Sequence, residues 1–364
     1  MTDRVLVQGN EAVGWGALNA GCDGFFGYPI TPQNEITEFF AREMPQRGKV
    51  FVQSQSETGA IMMLYGGAAA GFRVMTSTSG PGWGLMQEGM SHMAAAELPC
   101  VIVLVQRGGP GQGSVRHAQM DYMCVTRTGG AGGYKNIVLA PASVQEIHDL
   151  MQLAFCLADK YCNPVVVLSD GVLGLIAETV EMKAIDFGPV SERVWTVKGR
   201  DRQKSGIRQF IHTYPSGAPP PGGYPDYVPW LEHMGQKYDK MAESEVRYET
   251  YQSEDADLLL VAYGYVSRVC KEAINMARSE GRRVGLIRPI ALWPFPYKVL
   301  RDKVDRGCSF LVVEDSLGQM VEDVKVAVQG KAEVHFLGLL ARHLPTQGGM
   351  ILPNRVLDEI RRFL

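Results

Sequence analysis

The sequence of 364 residues predicts an α/β protein, with a doubly wound parallel sheet over residues 1–186 and a smaller α/β domain over 252–364. Two observations predict this class. Apolar runs such as Cys100–Gln106, typical of strands buried on both faces of a parallel sheet, alternate with helical segments. Between the two parts, over 187–251, the periodicity fails. A Pro/Gly-rich stretch at 214–223 there excludes a helix or a central strand, so we interpret 187–251 as a connector.

The individual elements follow from local patterns. Strands are predicted at Val5–Val7, Gly24–Gly27, Lys49–Gln53, Val74–Ser77, Cys100–Gln106, Pro164–Ser169, Leu258–Ala262, Val284–Arg288, Ser309–Glu314 and Glu333–Leu337. Helices are predicted at Gln33–Met44, Glu57–Ala70, Ser267–Glu280 and Gln319–Val328, and another begins at the capping box Ser143–Glu146. The helix at Glu57–Ala70 is apolar on all sides, which predicts that it is buried.

Composition excludes several classes of protein. A net charge of −3 gives no electrostatic basis for binding nucleic acid or an anionic membrane. The longest apolar stretch, 59–72, is too short to span a bilayer, and we expect no secretory signal and a cytoplasmic protein. The seven cysteines are scattered without a C-x-x-C pair, which argues against a disulfide framework and against an iron–sulfur or structural zinc site within this chain.

A glycine-rich segment, Arg107–Gly113, follows the buried strand at 100–106. A dinucleotide-binding fingerprint would need a helix to start here, but Pro110 interrupts the pattern and 114–117 is a poor helix start. We therefore expect a loop that approaches a ligand at the end of a parallel strand. Arg107 itself ends a buried strand, so its guanidinium either meets an internal acid or binds an anionic ligand.

Two further residues attract attention. Glu57 lies at the start of the apolar helix, where a favourable helix-dipole interaction of about 0.3–1 kcal/mol is the purely structural explanation. A carboxylate at the mouth of a buried helix nevertheless needs a partner that donates a hydrogen bond or a proton. Thr31 follows a strand and is flanked by Pro29–Pro32, so its hydroxyl is available either to a ligand or as the N-cap of the next helix.

Together these motifs resemble the alpha subunits of the 2-oxoacid:ferredoxin oxidoreductases. The similar segments are Gly9–Ala12, Gly27–Pro32, Gln55–Ala60, Ser77–Gly82, Gln106–Gly111, Leu139–Glu146, Arg288–Pro289, Trp293–Pro296 and Gly318–Asp323. The resemblance covers both predicted domains and lapses in the connector. Within the family, the loop after Arg107 and the helix at 144–146 look most like the branch acting on branched-chain substrates such as 2-oxoisovalerate.

The resemblance implies a thiamine-diphosphate pyrimidine-binding domain followed by a transketolase C-terminal-like domain. Glu57 would activate the cofactor by hydrogen bonding to its aminopyrimidine ring. Thr31 and Arg107 would hold the carboxylate and carbonyl end of the substrate. The remaining implied cofactor contacts are Pro29, Ser79 and Gly80. Ser169–Gly171 resembles a diphosphate-binding motif but lacks a suitable Asn after it, so the Mg²⁺ and diphosphate would be bound by a partner chain.

The resemblance also implies partners and a reaction. A beta subunit would carry the diphosphate-binding domain, and gamma and ferredoxin-like delta subunits would carry iron–sulfur clusters. The reaction would be oxidative decarboxylation of a 2-oxoacid to an acyl-CoA, with coenzyme A as co-substrate and ferredoxin as acceptor, and the chain would be inactive alone. Three alternatives remain: a family member acting on 2-oxoglutarate, one half of a non-oxidative thiamine-diphosphate enzyme, and a non-catalytic subunit. Arg116 favours 2-oxoglutarate if it points into the pocket, whereas we expect it to be a solvated loop residue.

Overall fold

The computed structural model describes residues 4–188, 193, 195–197, 211–212, 214, 223–340 and 350–364. The strands of the first part are β1 (Arg4–Gln8), β2 (Gly24–Gly27), β3 (Val50–Gln53), β4 (Val74–Thr78), β5 (Cys100–Gln106), β6 (Ile137–Leu139), β7 (Pro164–Asp170) and β8 (Ala177–Glu181). Its helices are α1 (Gly9–Asn19), α2 (Asn34–Gln46), α3 (Glu57–Ala69), α4 (Gly80–Ala95), α5 (Tyr122–Thr126), α6 (Val144–Tyr161) and α7 (Gly171–Leu175).

The second part of the described chain contains the helices α8 (Tyr227–Ser244), α9 (Gly264–Ser279), α10 (Tyr297–Val304), α11 (Met320–Val328) and α12 (Pro353–Phe363). Its strands are β9 (Tyr248–Tyr251), β10 (Leu258–Val261), β11 (Val284–Pro289), β12 (Ala291–Trp293), β13 (Ser309–Val313) and β14 (Val334–Leu337). No helix within the described ranges is long and apolar enough to cross a membrane.

The first sheet has the strand order β12-β6-β7-β5-β4-β2-β3 among the described residues, and all of its pairs are parallel except β12 with β6. Its central strands β5 and β7 are buried along their whole length, because helices cover both faces of the sheet. The predicted doubly wound α/β domain is confirmed. Strand β12 was not predicted; it comes from the second part of the chain and extends this sheet.

Helix α3 differs from its prediction. Although apolar on all sides, it is buried on one side only, and Met62 and Met63 on its other side are 49% and 38% exposed. The prediction of a fully buried helix was therefore wrong for this chain by itself. An exposed apolar helix face is typical of a surface that another protein covers.

The second sheet has the order β14-β13-β10-β11-β9 in the described part of the chain, with β9 antiparallel at one edge. The predicted strands and helices of this smaller α/β domain are present, with ends shifted by at most three residues. The predicted connector, in contrast, contains regular structure: helix α8 and strand β9 both lie within 187–251. Its Pro/Gly-rich stretch lies, at 215–222, outside the described residues.

Helix α8 was missed because its third residue is a proline and because it buries only Met234 and Met241, so its apolar periodicity is weak. Proline is nevertheless compatible with the first turn of a helix. Asp226 caps helix α8. Two side chains of α8 hold the helix to the first domain: His233 and Lys237 bind Glu97 at 2.8 and 3.1 Å.

The two parts of the chain are joined by an ion-pair network around Arg288, whose side chain is buried. One of the two hydrogen bonds of the predicted capping box at α6 forms: the Ser143 hydroxyl accepts a hydrogen bond from the amide of Glu146. The Glu146 carboxylate accepts one from the amide of Ala142 and also a bidentate pair from Arg288 of β11, at 2.7 Å each. Arg288 binds Glu249 of β9 as well. Two segments that resemble the family therefore meet at this contact.

Candidate active site

The candidate site lies where parallel strands of the first sheet end. The carboxyl ends of β2, β4 and β5 deliver the turn at 28–32, Ser79 and Arg107 to the same edge of the sheet. This is the edge at which ligands bind in open parallel sheets. A cleft of about 270 Å³ opens here between the start of α4 and the loop after Arg107.

Arg107 is 7% exposed and uses its guanidinium to hold backbone carbonyls. Nη1 donates to the carbonyl oxygen of Thr31 at 2.8 Å, and Nη2 donates to the carbonyl oxygen of Gln112 at 3.0 Å. Its Nε is buried without a partner, and it forms no ion pair with any described residue. The sequence left two alternatives for Arg107, an internal acid or an anionic ligand. No internal acid is in direct contact with it among the described residues.

Thr31 and Arg107 are brought together by the turn at 28–32. Two buried amides fix this turn: Gln33 donates to the carbonyl of Tyr28 at 3.1 Å, and Asn10 donates to the carbonyl of Pro32 at 2.8 Å. The Thr31 side chain is exposed. It is not the N-cap of α2, because that position belongs to Gln33, so the N-cap alternative was wrong.

Glu57 is the first residue of α3, and Ser56 caps the helix by accepting a hydrogen bond from Gly59. The Glu57 side chain is buried, yet it accepts no hydrogen bond from the described residues. It lies against the first turn of α4, where a Cβ added to Gly82 would come within 2.6 Å of its Oε1 and would clash with Thr78. Glycine at 82 thus leaves room for an acid whose charge has no partner within the described chain.

The other predicted site residues divide into two groups. Ser79 and Gly80 lie at the start of α4, where Gly80 lines the cleft and the buried Ser79 hydroxyl has no partner. Pro29 and Arg116 are exposed and do not line the cleft. Arg116 lies in the loop region that follows Arg107. A bridge between Gly108 and Ser114 closes this loop, which forms in place of a helix as predicted.

Asp121 is a cleft residue that was not predicted. Its carboxylate lies beside Gly80, whose added Cβ would be 2.5 Å from Oδ1, and its buried Oδ2 has no partner in the described part of the chain. Burial raises the pKa of Asp121 to about 6, although the backbone amide and guanidinium of Arg107 oppose this rise. No local pattern marks it, because the loop after Arg107 has to fold back before the two residues become neighbours.

The second domain holds this part of the cleft in place. Gln319, next to α11, donates to the carbonyl of Met120 at 2.6 Å and accepts from the amide of Met123 at 2.8 Å. It also lines the cleft. Asp323 of α11 accepts hydrogen bonds from Tyr122 and Arg127. The segment Gly318–Asp323, which resembles the family, therefore holds the segment that carries Asp121 in place through hydrogen bonds.

Asp170, in the stretch that resembles a diphosphate-binding motif, has a structural role here. It caps α7 through the amide of Leu173 at 2.9 Å and accepts from the amide of Tyr265 in the second domain at 2.9 Å. Burial raises its pKa to about 6. The described residues contain no group of three or more His, Cys, Asp or Glu side chains that could hold a metal ion.

A larger cavity of about 380 Å³ lies at the opposite edge of the sheet. It is lined by Arg73 and Asp159, which already bind each other at 2.5 Å. Because its charges are paired and the strand-end residues are absent from it, we do not assign the site there.

The chain was compared with known proteins. Residues 15–252 match the family model "Pyruvate flavodoxin/ferredoxin oxidoreductase, thiamine diP-bdg", and residues 256–347 match "Pyruvate:ferredoxin oxidoreductase core domain II". A ketoisovalerate oxidoreductase subunit VorB from Methanothermobacter marburgensis is 48% identical over 98% of this chain and 97% of its own length. A 2-oxoglutarate synthase subunit KorA from the same organism is 37% identical over 99% of both chains.

Among solved structures, a 2-oxoglutarate:ferredoxin oxidoreductase from Magnetococcus marinus, with 2-oxoglutarate, coenzyme A and succinyl-CoA bound, superimposes with a TM-score of 0.82 at 27% identity. This match covers 99% of our chain and 65% of the other chain, so our chain spans about two thirds of that protein's length. A split-gene transketolase shares the fold, with a TM-score of 0.58 over 97% of our chain and 95% of its own at 14% identity. The family predicted from the motifs is confirmed: this chain belongs to the 2-oxoacid:ferredoxin oxidoreductases and is a subunit of such an enzyme.

Proposed function

We propose that this chain is the thiamine-diphosphate-activating subunit of an enzyme that converts a branched-chain 2-oxoacid such as 2-oxoisovalerate to its acyl-CoA, with ferredoxin as electron acceptor. The observation that carries the proposal is the pair of unsatisfied charged groups at the start of α4. Among the described residues, Glu57 has no hydrogen-bond donor on one side of this turn, and the buried Nε of Arg107 has no partner on the other.

The residues around the start of α4 fit the aminopyrimidine half of thiamine diphosphate. The Glu57 carboxylate, the Ser79 hydroxyl and the Gln106 amide nitrogen all lack partners among the described residues, as expected for groups that a ligand satisfies. When bound, the cofactor supplies a carbon nucleophile for the 2-oxo group and accepts the electron pair released with CO₂. Glu57 would hold the proton relay of the ring in its active form.

Arg107 and Thr31 would bind the substrate's oxoacid end. Because the two are joined by a hydrogen bond through the Thr31 carbonyl, the guanidinium and the Thr31 hydroxyl are held close to one another. The Nε–H of Arg107 has no partner among the described residues, and a buried, charged donor stabilises a carboxylate more strongly than a neutral donor does. The two buried amides, Asn10 and Gln33, would keep the turn rigid enough to position the hydroxyl.

The cleft favours an apolar substrate tail. Its walls include Trp83, Met120 and Cys124, and Arg107 is the sole cation among the described residues that line it. The higher identity to ketoisovalerate oxidoreductase subunits, 48% and 45%, than to a 2-oxoglutarate synthase subunit, 37%, supports the same choice.

Substrate preference can be measured as kcat/KM for 2-oxoisovalerate against 2-oxoglutarate in the complete complex, with and without Arg116→Ala. We expect 2-oxoisovalerate to be preferred and the preference to survive the substitution, because Arg116 is exposed outside the cleft. Straight-chain relatives should also react, since apolar pockets discriminate by only about 10–200-fold per methylene. A clear preference for 2-oxoglutarate that disappears in the variant would overturn this choice.

A second chain would complete the cofactor site. Because Asp170 already accepts hydrogen bonds from backbone amides, the diphosphate and Mg²⁺ would be bound by a beta subunit. Iron–sulfur clusters would be carried by further subunits. The exposed apolar residues Met62, Met63 and Leu85 of α3 and α4 would form the contact with the beta subunit. We expect calorimetry of the isolated chain to detect no thiamine diphosphate binding. Micromolar binding to this chain alone would contradict the shared site.

A further inference from the structure

The cleft holds one acid that the proposed chemistry does not use. Asp121 and Arg107 both line it, yet they are not joined by an ion pair within 4.0 Å. The carboxylate lies instead against Gly80 at the start of α4 and has a buried oxygen, Oδ2, without a hydrogen-bond donor. A carboxyl group in this position can exist in either protonation state, and Arg107 favours the ionised one.

We infer that Asp121 takes up a proton when an anionic ligand pairs with Arg107, so that substrate binding and protonation of this carboxyl group are coupled. The inference rests on the proposed role of Arg107 and deepens it. A ligand carboxylate neutralises the cation that holds Asp121 ionised and adds a negative charge of its own to the cleft. Once protonated, Asp121 becomes a hydrogen-bond donor within the cleft and acts as a positioning residue for the bound anion.

The surroundings of Asp121 favour this assignment. Tyr263 from the end of β10 and Cys124 from α5 also lie near it, and burial raises the pKa values of both, so both stay neutral near pH 7. Gln106 and Gln319 are its uncharged neighbours, and Glu57 lies on the other side of the first turn of α4. Arg107 is thus the charge on which its ionisation depends within the described chain.

The sign and size of the effect follow from the pKa of about 6 in the free cleft. At pH 7 about one tenth of the Asp121 groups carry a proton, and loss of a neighbouring cation typically raises a carboxyl pKa by roughly 1–3 units. A rise of about one unit would give uptake of roughly 0.4 proton per site at pH 7. Uptake should diminish below about pH 5, where the free group is already protonated, and above about pH 9, where neither state binds the proton.

The test is calorimetric titration of the complete, cofactor-loaded complex with 2-hydroxyisovalerate, which carries the carboxylate but has no 2-oxo carbon to react. Titrations at pH 7 in phosphate and in Tris, whose ionisation enthalpies differ, report the protons exchanged. We expect uptake in the native complex and in the control Glu272→Gln, an exposed acid of α9, and its loss in Asp121→Asn. The variant should also show a weaker pH dependence of KM, with kcat less affected.

The possible outcomes separate the two proposals. Binding without any buffer dependence, or a buffer dependence that persists in Asp121→Asn, would overturn the inference and leave the proposed function intact. Failure of the native complex to bind the anion, or binding that survives Arg107→Ala, would contradict the proposed function itself. If Asp121→Asn does not assemble, the bell-shaped pH dependence of proton uptake by the native complex still decides, because its absence contradicts the coupling.

Discussion

Replacing Glu57 by glutamine should slow turnover while leaving the fold intact. Glu57 is 6% exposed and accepts no hydrogen bond from the described residues, so the substitution breaks no hydrogen bond of the described chain. Glutamine also has the same shape. We therefore expect the free energy of unfolding to change by less than about 1 kcal/mol.

The effect on activity should be much larger than the effect on stability. If Glu57 hydrogen bonds to the cofactor ring and promotes its proton transfer, its loss should lower kcat by about 10²–10⁴-fold, the range for general acid–base assistance. The assay is reduction of a viologen dye by the reconstituted complex with 2-oxoisovalerate and coenzyme A. Thermal unfolding of the isolated subunit gives the change in stability.

Two companion variants sharpen this experiment. Gly82→Ala keeps the Glu57 carboxylate but introduces a Cβ within 2.6 Å of Oε1, so it should also lower kcat by displacing the acid. Glu272→Gln removes an exposed acid of α9 and should change neither activity nor stability. Near-normal turnover of Glu57→Gln would refute the assigned role. A large loss of stability in that variant would instead indicate that Glu57 is a structural residue.

Three other predictions follow from the described contacts. Arg288→Ala should destabilise the subunit by roughly 2–3 kcal/mol in denaturant titrations, because it removes a buried guanidinium that binds two partly buried carboxylates, whereas Arg283→Ala, at an exposed ion pair, should have little effect. Burial alone would raise the pKa of Glu97, but the two α8 side chains that bind it lower the pKa to about 2. The stability lost in Glu97→Gln should therefore be present above about pH 4.5 and shrink as the pH falls towards 2, which thermal unfolding against pH would reveal. Met62→Lys should leave the isolated subunit folded but reduce its assembly with the beta subunit, as followed by analytical ultracentrifugation.

Most of the strands and the strand-end residues were predictable because their signals are local, whereas β6, β8, β9 and β12 were not predicted. A seven-residue apolar run such as Cys100–Gln106 can be stable as a strand only when both faces are covered, and this alone places Arg107 at a strand end. Glu57 was located at a helix start for a similar reason, since Ser56 and the apolar run that follows Glu57 are local features. Order along the chain then suffices to bring the ends of parallel strands to one edge.

The missed elements depend on tertiary contacts. Helices α1 and α4 begin with glycine and contain further glycines, which are poor helix formers, so their sequences do not indicate helices. In the fold these glycines allow close packing: a Cβ at Gly89 would clash with Ile61, and one at Gly16 would clash with the backbone at His148. Tertiary packing thus outweighs the low helix propensity of glycine, which is the property that the sequence shows.

Asp121 was missed for a further reason: its position depends on contacts between the two domains. The cation of the cleft belongs to a buried strand of the first domain, but the acid beside it is held by Gln319 through two backbone hydrogen bonds from the second. The distance between Arg107 and Asp121, and with it the proposed coupling, therefore depends on how the domains are joined at Arg288 and Asp323. In this fold the second domain sets the electrostatics of a cleft whose proposed cofactor and substrate contacts come from the first.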